Sequence, residues 1–382
     1  MPTSLNARRQ AGHDQRSAPG VDRRRAVNAA ITHIERRFGR GAIWHLNPDQ
    51  PIGPIPVIPT GSLPLDLALG VGGLPRGRLT EIHGPEASGK TTLALSVIAQ
   101  AQQAGGTALF VDAEHALALG WARTVGVDVD RLLLCQPDHG EHALTICETL
   151  IRSGALDVAV IDSAPALVPK AELDGEMGDH STGVYGRLMA QAMRKLTGVI
   201  GKSGTVVVFC NQLREDPSRL FGNPEVVPGG RALKHHAAVR LDVRPQECLR
   251  DGDQVVGNRI RVKVVKSKVA VPFRTAELDL RSDHGIDAEA GLLDLALDHG
   301  LITKTGASYR WQGEELGWGR QQAVTFLRDR PDLAGDLHRQ LRARLGGQVQ
   351  QKNDGQLGLI ARTAWALRIS SPTFGARQRC LP

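Results

Sequence analysis

No C-x-x-C pair occurs among the 5 cysteines of the chain, Cys135, Cys147, Cys210, Cys248 and Cys380. That absence argues against a zinc ribbon or a dithiol redox centre. Three of the cysteines lie in or beside apolar runs such as "RLLLCQ" and "VVVFC", which fits reduced, buried thiols better than a disulfide framework. The first residues, "MPTSLNARRQAGHDQRSAPG", carry no apolar h-region, and no run approaches the length of a bilayer span. The chain therefore reads as a soluble, cytoplasmic protein with no membrane partner.

What is present is enough material for a large core: 382 residues, 41% hydrophobic and 23% charged. The formal charge of +7 suggests an anionic partner without saying whether it is nucleic acid, membrane or nucleotide. Residues 1–25 hold six Arg against two Asp and read as a disordered basic arm. From Ala26 a helical period places Val27, Ile31, Ile34 and Phe38 on one face, ahead of a Pro-rich connector that reaches residue 60. Between residues 78 and 281 apolar runs ("RLTEIHG", "TALFVDAE", "RLLLCQ", "VAVIDS", "TVVVFCNQ") alternate with helical stretches, and "AVRLDVR", "RVKVVKSK" and "AELDLRS" follow without helices. This order predicts an α/β fold with a largely parallel, helix-flanked sheet and antiparallel strands at one edge. A small α/β domain is expected over 285–345, and a basic, disordered tail over 346–382.

"GPEASGKT" matches G-x-x-x-x-G-K-[ST] between a strand and an apolar helix, the context of a phosphate-binding loop. Backbone N–H groups of Gly84, Pro85, Glu86, Ala87, Ser88, Gly89, Lys90, Thr91 and Thr92, Pro85 excepted, are the candidates to cradle phosphates at a helix N-terminus. Lys90 is expected to reach the β- and γ-phosphates of ATP, and Thr91 to place its hydroxyl on Mg²⁺. Asp162, ending the strand "DVAVID", supplies the second metal-side group. Glu114 in "VDAEHAL" is the candidate base that aligns water, while Asp112 reads equally as a helix cap or a supporting partner. Gln212 ends a third strand at the same edge. The stretch 213–230 after it has neither period and is expected to be a functional loop.

The order and spacing of "TGSLPLDLALGVGGLPRGRLTEIHGPEASGKTTL", "VDAEHAL", "RLMAQAMRKL", "NQLR", "LFGNPE", "GGRALK" and "RVKVVKSKVAVPF" closely resemble the bacterial RecA recombinase family, over about residues 26–345. The resemblance implies a P-loop NTPase core over 61–284 with DNA-binding loops, an N-terminal subunit contact within 26–60 and a small DNA-binding domain over 285–345. It implies a DNA-dependent ATPase that assembles into a filament with itself on single-stranded DNA and pairs that strand with double-stranded DNA in recombination and repair. It also implies stimulation of self-cleavage of a LexA-like repressor in the SOS response. By position, Gln212 would couple nucleotide state to DNA, and Lys266 and Lys268 would reach the neighbouring subunit's phosphates. Arg187, Arg194, Arg214, Gly229 and Gly230 would meet DNA, within or beside loops at 174–183 and 213–227.

Several residues depart from the family pattern. Trp121 replaces a Tyr expected to stack on adenine, Ser282 a second aromatic, and Ala118 an Asp. His235 stands where a Phe is usual at the subunit contact, with His236 beside it. Glu215 and Asp216 put acid into the second loop, and the tail is basic where the family often ends acidic. These changes keep open a regulatory or structural relative that binds ATP and DNA but exchanges strands poorly. On the leading reading, single-strand affinity falls with salt at a log–log slope of about −0.7 per phosphate neutralised. The basic arm and tail are expected to steepen that slope, which a fluorescence-anisotropy salt titration measures.

Overall fold

Strands that are apolar on both faces need a layer on each, and the structure supplies both. The computed structural model describes residues 19–39, 42–43, 53–176, 183–215, 225–226 and 230–345. It comprises two units, Met1–Pro54 and Ile55–Pro382.

The first unit carries helix α1 (Pro19–Phe38). It begins seven residues before the apolar period at Ala26, so the last part of the expected basic arm is helical. Proline is well placed in a first turn because its missing N–H has no intrahelical partner there. Arg23, Arg24 and Arg25 propagate the helix without contributing an apolar side chain, so periodicity could not reveal that turn.

The second unit begins with β1 (Val57–Ile58), α2 (Leu63–Leu69), β2 (Leu74–Pro75), β3 (Leu79–Gly84), α3 (Lys90–Gln103), β4 (Ala108–Asp112) and α4 (Leu119–Thr124). It continues through β5 (Leu133–Cys135), α5 (Gly140–Arg152), β6 (Val158–Asp162), α6 (Lys170–Leu173), α7 (Val184–Ser203) and β7 (Val206–Gln212). Then come β8 (Arg214–Glu215), β9 (Glu225–Val226), α8 (Gly230–His236), β10 (Val239–Asp251), β11 (Gln254–Ser267), β12 (Thr275–Arg281) and β13 (Gly285–Ile286). Nine strands form one sheet in the order β13-β12-β11-β10-β3-β7-β6-β4-β5. The run from β10 to β5 is parallel, and β11, β12 and β13 are antiparallel, so the expected α/β class holds. Side-chain alternation splits the core in two. Val206, Val208 and Cys210 of β7 pack with Leu93, Val97 and Ile98 of α3, whereas Val207 and Phe209 pack with Ile151 of α5 and Met193 of α7.

Two features exceed the sequence expectation. β10 and β11 continue as a long hairpin that turns at Gly252 (φ +59°), through a polar stretch with little apolar alternation. Cys248 lies on that projection and is exposed, unlike the buried Cys147 and Cys210 and the half-buried Cys135, so the expectation of buried thiols fails there. Cys380 lies outside the described residues. In the stretch expected to be aperiodic, β8 pairs with β9 as a two-residue ribbon, too short to print a period.

The C-terminal lobe contains α9 (Ala288–Asp298), β14 (Ile302–Thr305), β15 (Ser308–Trp311), β16 (Glu314–Trp318), α10 (Arg320–Asp329) and a last helix over 331–345. A third apolar cluster fills it and takes in Leu63 of α2. Charge ties the lobe to the sheet: Arg320 donates to Asp294 at 2.9 and 2.7 Å and to Asp279 of β12 at 2.7 Å. Burial raises the Asp279 pKa, but Arg259 and Arg320 overcome this and hold it below the usual range. Among the described residues no helix is long and apolar enough to cross a membrane.

Asp66 behaves in the opposite sense. It is buried against a cleft bordered by His338 and Arg342, and its Oδ1 accepts from the Thr60 N–H and hydroxyl, both at 2.9 Å. Burial outweighs these bonds and the Arg342 charge, and its pKa is pushed up from 3.8 to about 7. Because the folded state holds this proton more tightly, its stabilisation is complete below the unfolded pKa and is lost as pH rises toward the folded value. Asp66→Asn is therefore expected to gain stability relative to the parent between about pH 4 and pH 7, by up to about 1.4 kcal/mol per pH unit. Urea unfolding of both proteins across that range checks the sign.

Candidate functional site: a phosphate-binding loop at the sheet edge

The parallel strands carry their carboxyl ends to one edge. Gly84 pairs with Gln212, and Asp112 with Asp162, so four expected site residues end neighbouring strands. Beyond Gly84 the loop closes tightly: a Cβ there would lie 2.2 Å from the Val243 carbonyl oxygen. Gly89 has φ +90° and opens α3, and a Cβ on it would meet Leu280 at 2.3 Å. Gly84 through Thr92 thus form a loop held by backbone approach, entering a helix N-terminus.

Lys90 is buried beneath the loop and donates from Nζ to the Pro85 carbonyl at 2.5 Å. Burial pulls its pKa down, against the pull of Asp162, Glu114 and Glu86. Thr91 donates to Asp162 Oδ2 at 2.6 Å. Burial raises the Asp162 pKa, and the Thr91 hydrogen bond opposes it. A hydroxyl and a carboxylate in contact suit a hard cation, and among the described residues no cluster of three or more His, Cys, Asp or Glu offers an all-protein cage. That donor set fits Mg²⁺, which keeps water and phosphate oxygens as its remaining ligands, with Thr91 and Asp162 the residues that would hold it.

Glu114 follows β4. Its Oε1 accepts from Gln212 Nε2 at 3.0 Å and from the Ser163 hydroxyl. Asp112 accepts from the N–H groups of Ala116 (3.0 Å) and Leu117 (3.2 Å) and from Gln136 (3.0 Å), which settles it as a cap of the loop that carries Glu114. Sequence reasoning passed over Ser163, whose neighbour Asp162 carries the visible signal.

A cavity of about 270 Å³ opens beside the loop. Trp121 lines it and donates from Nε1 to Thr92 Oγ1 at 3.3 Å, and Gly257, Asn258, Leu280, Arg281 and Ser282 form the other side. Ser282 therefore does border the cavity, whereas Ala118 instead occupies the N-cap of α4. Gly257, Asn258, Leu280 and Arg281 went unseen because only the β11–β12 pairing brings them here. Gly257 packs so closely that a Cβ would sit 2.1 Å from the Leu280 carbonyl oxygen.

Lys266 and Lys268 lie elsewhere. Lys266 is level with Arg240, which pairs with Glu81 of β3, toward the amino end of the strand whose carboxyl end begins the loop. Lys266 Nζ donates to the carbonyls of Lys234 (2.7 Å) and His235 (3.1 Å), and Lys268 Nζ to that of His235 (3.1 Å). Both lysines face one way, as alternation predicts, and converge on the end of α8 rather than on the loop of their own chain. His235 and His236 are the last two residues of that helix. Arg187 and Arg194, seven residues apart on α7, are both exposed and share a helix face. Arg214 begins β8 and Gly230 begins α8, while Gly229 lies outside the described residues. Arg244 clamps Glu225 of β9 at 2.5 and 2.6 Å and Asp242 at 2.8 Å, a link absent from the sequence reading.

The Gly84 contact sets a direct expectation. Gly84→Ala should lower stability by about 3 kcal/mol, because the clashing atom is backbone and cannot swing away. Gly120→Ala, whose Cβ would meet nothing within 4 Å in α4, should instead gain about 0.5–1 kcal/mol. Denaturant unfolding of the two variants measures both.

Comparison with known proteins agrees with this architecture. The model for the RecA N-terminal domain matches residues 25–287, and that for the RecA C-terminal domain residues 290–346. The chain is similar to Protein RecA of Streptomyces avermitilis, 54% identical over 331 residues that cover 87% of this chain and 88% of that protein. It is 55% identical to Protein RecA of Kineococcus radiotolerans over 326 residues, covering 85% of this chain and 93% of that one. With Protein RecA of Acidothermus cellulolyticus it shares 54% identity over 329 residues, 86% of this chain and 95% of the other. With both domain models matched in order and identity above half across most of its length, the chain belongs to the RecA family.

Proposed function

We propose that the protein is a DNA-dependent ATPase that assembles with itself on single-stranded DNA and pairs that strand with homologous duplex in recombinational repair. The observation that carries this reading is the hydrogen bond from Gln212 to Glu114. One residue thereby touches the candidate base and also leads, through Leu213, into the loop proposed to hold DNA. A shift of that loop would move a donor at the hydrolytic site, which is the coupling a DNA-dependent ATPase requires.

In the proposed reaction Lys90 and the loop amides hold the phosphates, and Thr91 and Asp162 hold Mg²⁺, which supplies charge neutralisation when bound. Glu114 orients water toward the γ-phosphorus and accepts its proton. Trp121 offers its ring to the base. The position of Lys266 and Lys268 at the other end of the strands supports a role toward a neighbouring subunit. Hydrolysis would then depend on assembly, since two cations join the transferred phosphoryl group only at a formed interface. Arg187, Arg194 and Arg214 are proposed to contact the DNA backbone. Repressor cleavage is proposed on family membership alone.

The test is ATP hydrolysis with and without single-stranded DNA. Stimulation of about tenfold or more, reduced by about 10²-fold or more in Glu114→Gln, is the expected result. DNA binding without stimulated turnover would overturn it in favour of a regulatory relative, the reading that His235 and the acidic residues of the second loop favour.

A further inference from the structure

Glu114 stands exposed on a loop, and a free glutamate side chain samples several rotamers that a fixed heading must give up. Two donors restrain it, and both reach the same oxygen: Ser163 Oγ and Gln212 Nε2 meet Oε1, while Oε2 accepts from no described residue. The two donors differ in kind. Gln212 is half-buried at the last position of β7 and leads into the second loop. Ser163 is 2% exposed and follows β6 directly, and its carbonyl accepts from the Ala166 N–H at 3.1 Å, which ties its backbone into the next turn. One restraint therefore sits at a strand end that leads into the loop proposed to hold DNA, and the other is part of the core.

We infer that Ser163 is a positioning residue for hydrolysis, the fixed restraint on Glu114 beside the adjustable one from Gln212. The inference rests on the ATPase reading above. Ser163 occupies Oε1 and leaves Oε2 turned toward the water. As the water oxygen bonds to the γ-phosphorus, the bond from that phosphorus to the β,γ-bridging oxygen breaks. ADP leaves with the electron pair, and a water proton passes to Oε2. With Ser163 in place, the base keeps its heading when Gln212 shifts, so a change at Gln212 tunes the rate rather than abolishing the geometry. Without it, Gln212 is the one donor to Glu114 left among the described residues.

The test is single-turnover ATP hydrolysis by the full chain on single-stranded DNA, with Ser163→Ala made in the parent and in Glu114→Gln. Removing a hydroxyl leaves the fold in place, which thermal unfolding verifies, and the Kd for a fluorescent ATP analogue is expected to stay within about twofold. In the parent the rate should fall at least about tenfold, the scale of a mis-aimed base. In Glu114→Gln the same substitution should change the residual rate less than about twofold, because a residue acting through Glu114 has nothing left to act on. A parental rate that Ser163→Ala leaves unchanged overturns the inference, as does an equal loss in both backgrounds, the mark of a merely structural role. A parent that fails to turn over ATP at all removes the ATPase reading and this inference together, so the two failures are told apart by the parent's own rate.

Discussion

Parallel pairing obliges every strand to deliver its carboxyl end to the same edge, and the chemistry of this protein hangs on that obligation. The strand order β3-β7-β6-β4 sets Gly84, Gln212, Asp162 and Asp112 side by side although they are scattered over 129 positions of the chain. A one-residue slip in β6 would turn Asp162 to the opposite face, and the Thr91 hydroxyl would lose its partner. The core enforces the register, since such a slip would also exchange the residues of β6 between the two apolar clusters that cover the sheet. Packing thus fixes the geometry, and the site inherits it.

The same sheet separates two kinds of charge. At the carboxyl edge Asp162 and Lys90 are partly desolvated, and burial shifts the Asp162 pKa up and that of Lys90 down. Toward the other end a buried pair, Glu81 and Arg240, is completed by Asn211 donating to Glu81 at 3.1 Å. Breaking such a pair is far more harmful than never having built it, so it acts as a registry pin between β3 and β10. Lys266 stands opposite Arg240 on β11, and its placement therefore depends on that pin.

Much of this was legible in the chain because strong local signals coincide with functional ones. The G-x-x-x-x-G-K-T pattern sets glycines at a fixed spacing, and Asp162 and Glu114 lie at or just after the ends of apolar strands, which are easy to find. Ser163 was not legible, since a serine after a strand has no pattern of its own and its role exists only through Glu114, 49 residues away. Gly257 and Asn258 escaped for a related reason: they face the cavity because β11 runs antiparallel to its neighbours, and a polar hairpin gives no apolar alternation to fix where it starts. The clamp of Arg244 on Glu225 joins a loop to a strand across 19 positions, and charge alone does not specify which of many partners an arginine takes.

The join between α7 and α8 shows what geometry adds to a list of departures. Thr197 donates its only hydroxyl hydrogen to the Met193 carbonyl at 2.6 Å, so toward His236 Nδ1, 2.8 Å away, it can only accept. His236 must therefore carry a proton on Nδ1. Protonating Nε2 as well would leave that hydrogen bond intact, and the join does not open with pH. What changes is charge: burial and the surrounding Lys268, Arg194, His235 and Lys266 depress the His236 pKa, which marks a cluster already unfavourable to another cation. The two helices are thus joined by a hydrogen bond that His236 keeps in either charge state, at a corner where cationic side chains gather around it.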